Sequence, residues 1–462
     1  MRTRITLAAL LTAALGLVPA SPSAAATIEV TTLNDEVAVD GDCSLREAMI
    51  SANDNVSFDA CVKGQGGDKR DAIELADAEY GLDIPGTGEN ASQTGDLDYM
   101  GGGKLTIRCA QGDGCGINAL SAGDRAIHAS ENAKSLRLER LFLEDANAVN
   151  GGLVYADTGS LALDRVDVRS GVVSNVGGGI WFGGSEGLKV TRSAFYLNEA
   201  RGGGAIYAPN NARVSISKSV FSDNEAEGTE ARGGAVWAFN LSIARSMFLE
   251  NTAVADASDS SGGAVYGTDA KVSRSYFGDN VSAMTGAGDG ADGGALGMLG
   301  KSAVTNSTFF DNASQDDGGA VSGEAKLAHT TFLQNSAEDD GDHVYGTAGG
   351  ISLRNSILPG AMIAVDVCAG TTSKGFNVFS YDDSGCGTLD SDVVNGGNAG
   401  LQGPPAANGG FTWTIPISSD SVAKNLIPRR NCRSAKGVDQ RGYERPAGKR
   451  CDAGAFERGA NP

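Results

Sequence analysis

Short stretches of alternating apolar and polar residues run through the middle of the chain, as in Val214-Ser215-Ile216-Ser217 and Leu241-Ser242-Ile243-Ala244. Alternation with a period of two places one set of side chains inside and the other outside, as a β-strand requires. No apolar spacing typical of a helix runs through this region. The pattern therefore predicts many short strands.

Two motifs alternate through the same region and set its period. Phe-x-x-Asn occurs six times and Gly-Gly-Ala followed by Ile, Leu or Val occurs five times, with one pair in each unit of roughly 23 to 31 residues. The copies begin at Phe195, Phe221, Phe248, Phe277, Phe309 and Phe332, and at Gly203, Gly233, Gly262, Gly293 and Gly318, with degenerate versions at Gly151, Gly177 and Gly341. A fixed period of this length is typical of a solenoid. We therefore predict an all-β fold, a right-handed parallel β-helix with one repeat per coil, over residues 101–365.

Stacking of equivalent residues gives each motif position a predicted role. The phenylalanines form a buried aromatic ladder, and each asparagine lies at a corner where its amide bonds to the asparagines above and below. The glycines make a turn, the alanine faces the interior, and the next aliphatic residue forms a second inner column. One position later lies an outer aromatic column, for which scaffold packing and sugar binding are both open: Tyr155, Trp181, Tyr207, Trp237, Tyr266 and Tyr345.

The alternation of Gly-Gly-Ala-(Ile/Leu/Val) with Phe-x-x-Asn resembles the repeats of the polymorphic outer-membrane proteins, over about residues 150–345. In that family such repeats form a surface-exposed β-helical passenger that is often linked to adhesion. The resemblance implies a bacterial β-helix at the cell surface or outer membrane, with an adhesin-like role.

The N-terminus has the three parts of a secretory signal peptide. Basic residues Arg2 and Arg4 precede an apolar run from Ile5 to Val18, and small residues follow up to Ala26. The run is too short to span a membrane. We predict a signal peptide over residues 1–26, export to the cell surface or the medium, and no transmembrane segment in the mature chain.

Eight cysteines are consistent with export, and all lie outside the core of Phe-x-x-Asn repeats: Cys43, Cys61, Cys109, Cys115, Cys368, Cys386, Cys432 and Cys451. Spacing alone cannot fix their connectivity. Pairing of sequence neighbours is the hypothesis, because each pair closes a short loop. A zinc site is the alternative, but no Cys-x-x-Cys spacing occurs.

Residues 27–100 are predicted to form an N-terminal cap and a first coil. Ser44 and Glu47 have the spacing of a capping box, followed by an apolar helix face. A small helix across the end of a β-helix would cover its open edges. Cys43-Ser44-Leu45-Arg46-Glu47-Ala48 also spells the motif that names the C-S-L-R-E-A domain of bacterial secreted proteins, which the chain resembles over residues 27–82.

Residues 366–462 are predicted to form a C-terminal cap. Between residues 429 and 458 nine Lys or Arg residues stand against four acids. The sequences Asp439-Gln440-Arg441-Gly442 and Cys451–Glu457 resemble the choice-of-anchor Q domain, although no sorting anchor follows, which favours release or non-covalent attachment. The basic residues either pair with acids of the last coil or contact anionic surface polysaccharide.

The formal charge of −20 argues against a nucleic-acid partner. Many acids precede the Gly-Gly turns, so they are predicted to line one edge of the solenoid: Asp256, Asp259, Asp289, Asp292, Asp316, Asp317, Glu338, Asp339, Asp340 and Asp342. One interpretation is a solvated edge that keeps the protein soluble. The other is weak Ca²⁺ binding between coils, although no Ca²⁺ loop motif is present.

Catalytic signals are sparse. Paired carboxylates at Asp316-Asp317, Asp339-Asp340 and Asp382-Asp383 are candidates for glycan hydrolysis, but polygalacturonase-type motifs, a serine nucleophile motif and a phosphate loop are missing. His128, His329 and His343 are each isolated in sequence, so we assign no catalytic, cofactor-binding or metal residue. The sequence favours a surface-interaction scaffold, adhesin-like and without catalysis, whose partner is a cell-surface glycan or a host surface. The alternative is a polysaccharide lyase or glycoside hydrolase that acts on acidic glycans.

Overall fold

A computed structural model describes residues 25–286, 290–360, 366–379, 384–394, 397–435 and 437–461. Strands of successive coils pair in parallel, and equivalent residues of the repeats lie opposite one another. The predicted all-β, parallel β-helix is therefore confirmed. The regular helical segments of the described residues are α1 (Leu45–Asp54) and the 3₁₀ turns Ser384–Cys386 and Arg429–Ala435.

The strands are short except where one strand continues around a corner. Those before the repeats are Thr27–Glu29, Arg70–Leu75, Glu79–Gly81, Leu97–Tyr99, Lys104–Cys109, Cys115–Asn118, Ile127–Ala129, Ser135–Asn150, Val154–Ala156, Ser160–Val176, Ile180–Phe182 and Gly187–Thr191. Those of the first repeats are Ala194–Tyr196, Glu199–Ala200, Ile206–Ser217, Val220–Ser222, Glu225–Gly228, Ala231–Arg232, Val236–Ala244, Met247–Leu249, Thr252–Ala255, Ser260–Ser261, Val265–Thr268, Lys271–Ser273, Tyr276–Gly278 and Val281–Met284. The remainder are Ala291–Asp292, Leu296–Thr305, Thr308–Phe310, Ala313–Ser314, Val321–Ala328, Thr331–Leu333, Ser336–Ala337, Val344–Arg354, Ile357–Leu358, Cys368–Ala369, Thr371–Ser373 and Val378–Phe379.

The six phenylalanines form the predicted aromatic ladder. Each is fully buried and lies in register with the phenylalanine of the next coil. Neighbouring ring centroids are 4.7 to 5.1 Å apart and the rings are nearly parallel. The inner column that follows Gly-Gly-Ala is also fully buried, at Ile206, Val236, Val265, Leu296 and Val321. The core therefore consists of columns of like side chains.

The asparagines form the predicted ladder beside the phenylalanines. Each side-chain amide donates to the side-chain oxygen of the next asparagine at 2.8 or 2.9 Å. A second ladder, not predicted, is made by Ser193, Ser219, Ser246, Ser275 and Ser307, where a main-chain N–H donates to the hydroxyl of the next serine. These bonds satisfy polar groups that the stacking buries.

The two positions of the Gly-Gly pair in each Gly-Gly-Ala motif require glycine for different physical reasons. Gly233 has φ of +63°, in the left-handed region that favours glycine. A Cβ on Gly234 would lie 2.1 Å from the carbonyl oxygen of Gly263 in the next coil. The first glycine therefore makes the turn, and the second lets successive coils approach.

Helix α1 covers the first coil as expected. The Ser44 hydroxyl accepts from the Glu47 N–H at 3.2 Å, and the Glu47 carboxylate accepts from the Ser44 N–H at 2.9 Å, so the capping box is confirmed. Arg46 is fully buried, forms an ion pair with Asp35, and donates to the Gly95 carbonyl at 2.6 Å. The helix is thereby attached to the loop that precedes strand Leu97–Tyr99.

Four disulfide bonds join neighbouring cysteines, which is the pairing hypothesised from their spacing. The bonds are Cys43–Cys61, Cys109–Cys115, Cys368–Cys386 and Cys432–Cys451. All four lie outside the Phe-x-x-Asn repeats. They therefore strengthen the parts of the chain that the ladders do not reach.

The C-terminal residues lie along the side of the β-helix, reaching coils well before the last one. The Gln440 amide donates to the Ser275 carbonyl at 3.2 Å, and the Thr308 hydroxyl donates to the Gln440 side-chain oxygen at 2.6 Å. Apolar residues of this segment pack with Phe310 and Leu333, which point outward from the phenylalanine strands. The segment therefore covers one outer face of the late coils.

Two of the basic residues of this segment pair within it. Arg445 and Glu457 form a fully buried ion pair at 3.1 Å, and Arg441 pairs with Asp439 at 2.7 Å. Acids of the last coil were the expected partners, and these two arginines do not use them. A buried guanidinium requires carboxylates held at fixed positions, and the neighbouring turns supply them.

The predicted signal peptide, residues 1–26, lies almost wholly outside the described residues and stays a prediction. The other domain boundaries, at residues 27–100, 101–365 and 366–462, also stay predictions. Among the described residues no helix has the length and apolar character needed to cross a membrane.

Replacing a ladder asparagine should destabilise the fold more than replacing an exposed one. Asn251 donates to the Phe221 carbonyl at 3.0 Å and to Asn280, and accepts from Asn224. Because Asn251→Ala leaves these buried groups unpaired, we expect the free energy of unfolding to fall by about 3 kcal/mol. Urea denaturation measures the change. Exposed Asn240→Ala is the control, and equal stability of the two variants would contradict the role given to the ladder.

Candidate functional site

The outer aromatic residues stack on one another. The residues in register are His128, Tyr155, Trp181, Tyr207, Trp237 and Tyr266. Ring centroids are 4.3 Å apart for Tyr155 and Trp181, and 4.5 Å apart for Tyr207 and Trp237, with nearly parallel planes. Stacked rings cover each other's faces, whereas a bound sugar needs a free face. The geometry therefore favours a packing role for this column.

Tyr345 lies apart from these stacks. Gly297 and Ser322 occupy the same position in the two coils between Tyr266 and Tyr345. The six predicted members therefore do not form one continuous aromatic surface.

Part of the acidic edge forms a cluster. Carboxylate oxygens of Asp292, Asp316 and Asp317 lie within 4.8 Å of one another. Burial, with Asp316 and Asp317 nearby, raises the pKa of Asp292 to about 7. The spacing is shorter than the roughly 6.5–9.5 Å of an inverting glycosidase pair. This trio suits a shared proton or a cation better than that reaction.

The other carboxylate doublets add no site. Asp339 and Asp340 are exposed. Asp382 and Asp383 lie outside the described residues, as does Asp289. A third acidic group, Asp77 beside Cys109 and Cys115, cannot bind a metal through sulfur, because those cysteines are bonded to each other.

Two of the three histidines are structural. His343 is fully buried, stacks on Phe332 at 5.7 Å, and bonds through Nε2 to the Pro359 carbonyl at 2.7 Å. Burial lowers its pKa to about 4. Burial and the nearby Arg445 also lower the pKa of His329. Neither ring is therefore available for proton transfer at neutral pH.

A column of basic residues, not recognised from the sequence, occupies the corner before the phenylalanine strands. Its members, the basic corner column, are Arg140, Arg165, Arg192, Lys218, Arg245 and Arg274. The residues just before them pair in register from coil to coil. Equivalent positions in successive coils lie about 4.8 Å apart. Six cations therefore lie in one line along the axis of an acidic protein.

The backbone does not explain why these residues are basic. All six have φ between 52° and 55°, a conformation that costs residues with a Cβ roughly 1–2 kcal/mol and is best tolerated by Gly, Asn and Asp. Arg and Lys gain nothing there from backbone geometry. We conclude that the charged side chain is what the position requires.

Most of these cations have no carboxylate partner. Within the described part of the chain, Arg192, which pairs with Asp164, is the member that forms an ion pair. Arg140 donates to the Cys109 carbonyl. Arg165 and Arg192 are exposed, and the others are half-buried. Burial and the positive charge of the neighbouring Arg245 lower the pKa of Arg274. The effect of Arg245 is expected where cations of successive coils lie close together.

The same corner is uncharged in the later coils. Its residues there are Asn306, His329 and Asn355, all buried. The C-terminal segment lies over this part, where the Gly454 N–H donates to the Asn355 carbonyl at 2.8 Å. The basic residues therefore precede the covered part, and the last of them, Arg274, already contacts the C-terminal segment, since the Thr412 hydroxyl donates to its carbonyl at 3.2 Å. The missed sequence signal was a Lys or Arg three residues before Phe195, Phe221, Phe248 and Phe277.

Comparisons with known proteins bear on the fold alone. No family model matches the chain, and no curated protein matches its sequence. The crystal structure of pectate lyase Pel9A matches with 16% identity over 94% of this chain and 97% of that one, at a TM-score of 0.40. A likeness this distant carries no argument about activity.

The acidic cluster should make stability fall as pH rises. With a pKa near 7 in the folded state and about 3.9 when unfolded, Asp292 takes up a proton on folding at pH 5, so stability falls as pH rises from about 4 to about 7 and stays low above that. Asp292→Asn should therefore raise the melting temperature by at least about 2 °C at pH 8 and change it little at pH 4. Calorimetric scans across this range, with exposed Asp256→Asn as control, measure the effect. A pH-independent difference would contradict the role given to Asp292.

Proposed function

We propose that the chain is an exported, cell-surface β-helix protein that binds an acidic polysaccharide along the basic corner column and has no catalytic activity of its own. The observation that supports this most is the line of six cations at one corner, of which Arg165 and Arg192 are exposed. An adhesin-like role agrees with the resemblance of the repeats to the polymorphic outer-membrane proteins.

The spacing of the column suits a regular polyanion. Cations recur once per coil, about 4.8 Å apart, so six of them extend over roughly 24 Å. A polyuronate carries one carboxylate on each sugar, which gives it evenly spaced charges. Each cation can then meet a carboxylate without bending the polymer. Binding of this kind weakens as salt screens the charges.

The charge of the rest of the protein directs such a polymer to this corner. The chain carries a formal charge of −20, so most of the surface repels polyanions. A parallel corner on the other side of the phenylalanine strands bears acids, including Asp145, Asp223, Glu250 and Asp279. The ligand is therefore confined to one side of that narrow face.

A second group of cations provides a matched comparison. Lys301, Lys326 and Lys374 are exposed and line a groove of about 470 Å³ on the late coils, away from the basic corner column. Glu324 lies in the same groove and offsets part of their charge. Removing three charges there changes net charge as much as removing three from the column.

Neutralising the column should abolish most polyuronate binding. For Arg165→Gln, Arg192→Gln and Lys218→Gln together, each lost contact costs about 1 kcal/mol in water. Affinity for immobilised polygalacturonate at low salt should therefore fall by about a hundredfold, and the salt dependence should become shallower. Biolayer interferometry measures both.

The triple glutamine variant of the groove lysines should bind like the parent protein, and circular dichroism should show both triple variants folded. Equal loss from both variants, or no loss from the column variant, would refute the proposal. The enzymatic alternative is checked with the same polymer. If the parent protein releases unsaturated or reducing ends, its function is that of a lyase or hydrolase and the proposal of binding without catalysis is wrong.

A further inference from the structure

A mixed carboxylate–imidazole cluster lies near the N-terminal end of the β-helix, away from the basic corner column. Strands Leu97–Tyr99 and Ile127–Ala129 are neighbours, and their register places Asp98 opposite His128. Asp96 precedes the first of these strands. Potential ligand atoms of Asp96, Asp98 and His128 all lie within 4.8 Å of one another.

The cluster is buried but not closed. The side chain of Asp98 is fully buried, that of Asp96 is 4% exposed, and that of His128 is 18% exposed. His128 Nδ1 lies 3.1 Å from Asp98 Oδ1, and the Ser92 N–H donates to Asp98 Oδ2 at 3.2 Å. The imidazole therefore places one edge of the cluster next to solvent.

Asp96 is the member with the weakest partner. No other residue of the described ranges donates a hydrogen bond to its carboxylate, and the nearest cationic atom is Arg125 Nε at 3.7 Å. Arg125 also contacts Asp124, through Nη2 at 3.3 Å. A carboxylate buried this deeply is costly unless a cation or a donor meets it.

The charges in the cluster do not balance. When all three are ionised, Asp96, Asp98 and Asp124 bring three negative charges, and Arg125 brings one positive charge. With a neutral imidazole, two negative charges remain, which one divalent cation would cancel. Arg46, whose charge Asp35 already balances, contributes only hydrogen bonds to the loop carbonyls.

We propose that Asp96, Asp98 and His128 bind one divalent transition-metal ion of the zinc class. Two atoms that share a tetrahedral ion at about 2.0–2.2 Å from each lie about 3.3–3.6 Å apart, so the 3.1 Å contact between His128 Nδ1 and Asp98 Oδ1 needs to open by only a few tenths of an ångström. An imidazole nitrogen favours zinc-like ions, whereas Ca²⁺ and Mg²⁺ favour sites made of oxygen alone. The imidazole nitrogen of His128 distinguishes this site chemically from the acidic edge, where Asp292, Asp316 and Asp317 offer only oxygen ligands.

The surroundings hold the ligands in place. The Asp98 N–H donates to the Ser92 hydroxyl at 2.8 Å, and the Asn53 amide of α1 donates to the Asp98 carbonyl at 2.6 Å. Arg46 donates to the Gly95 carbonyl at 2.6 Å. Bonds of this kind orient metal ligands and raise affinity. The bound ion would fasten the loop under α1 to the next coil.

The test is a titration of the purified, chelator-treated chain with Zn²⁺, followed by calorimetry. We expect one strong site per chain in the parent protein and a rise in melting temperature on binding. His128→Gln and Asp96→Asn should each weaken Zn²⁺ binding by at least about tenfold. Asp292→Asn, which changes the acidic edge, should leave it unchanged.

Each contrary result overturns a stated part of the proposal. No bound Zn²⁺, or equal binding by the parent protein and His128→Gln, would remove the site. Loss of binding in Asp292→Asn instead would move it to the acidic edge. Ca²⁺ binding as strong as that of Zn²⁺ would reject the transition-metal class. Co²⁺ gives a second readout, because its visible absorption should change when His128 no longer supplies nitrogen.

Discussion

The superposition of each coil on the next is the constraint on which the rest of the structure depends, and the asparagine ladder maintains it. Successive ladder asparagines are separated by as few as 23 and as many as 32 residues, yet their side chains bond at the same 2.8 Å. The extra residues therefore go into loops, and the corners stay aligned. Because the ladder amides are buried, a coil that slipped out of register would leave them unpaired.

Alignment of this kind turns one sequence position into a surface feature that extends along the molecule. A buried position gives a column of rings or amides, and an exposed corner gives a line of charge. The basic corner column and the acidic corner are separated only by the three-residue phenylalanine strands, such as Met247–Leu249. Their opposite charges therefore follow from the choice of residue at two positions of each repeat.

The fold was largely readable from the sequence, because motifs that recur at a fixed period mark equivalent positions directly. This is why the Phe195 and Asn198 columns, the Ser44 capping box and the pairing of neighbouring cysteines agree with the structure. The lateral course of the C-terminal segment could not be read in this way, since Gln440 contacts Ser275 across 165 residues. The stacking that covers the faces of the outer aromatic rings also depends on side-chain orientation, which repetition does not specify.

The two candidate sites differ in how far sequence could reveal them. Arg192, Lys218, Arg245 and Arg274 recur at one distance before the phenylalanines, so the signal was present but lay outside the motif that defined the repeat. Asp98 and His128 lie 30 residues apart in coils without that motif. Only the register of their strands shows that they meet.

The position of the C-terminal segment has a consequence for how the molecule assembles. Phe310 and Leu333 point away from the bore and are covered by residues synthesised about a hundred positions later. Coils that are synthesised early can stack as they form, whereas this outer face stays uncovered until the C-terminal segment has been made. A chain interrupted before that stage would expose this apolar face to its neighbours, so docking of the C-terminal segment also removes a surface that would favour aggregation.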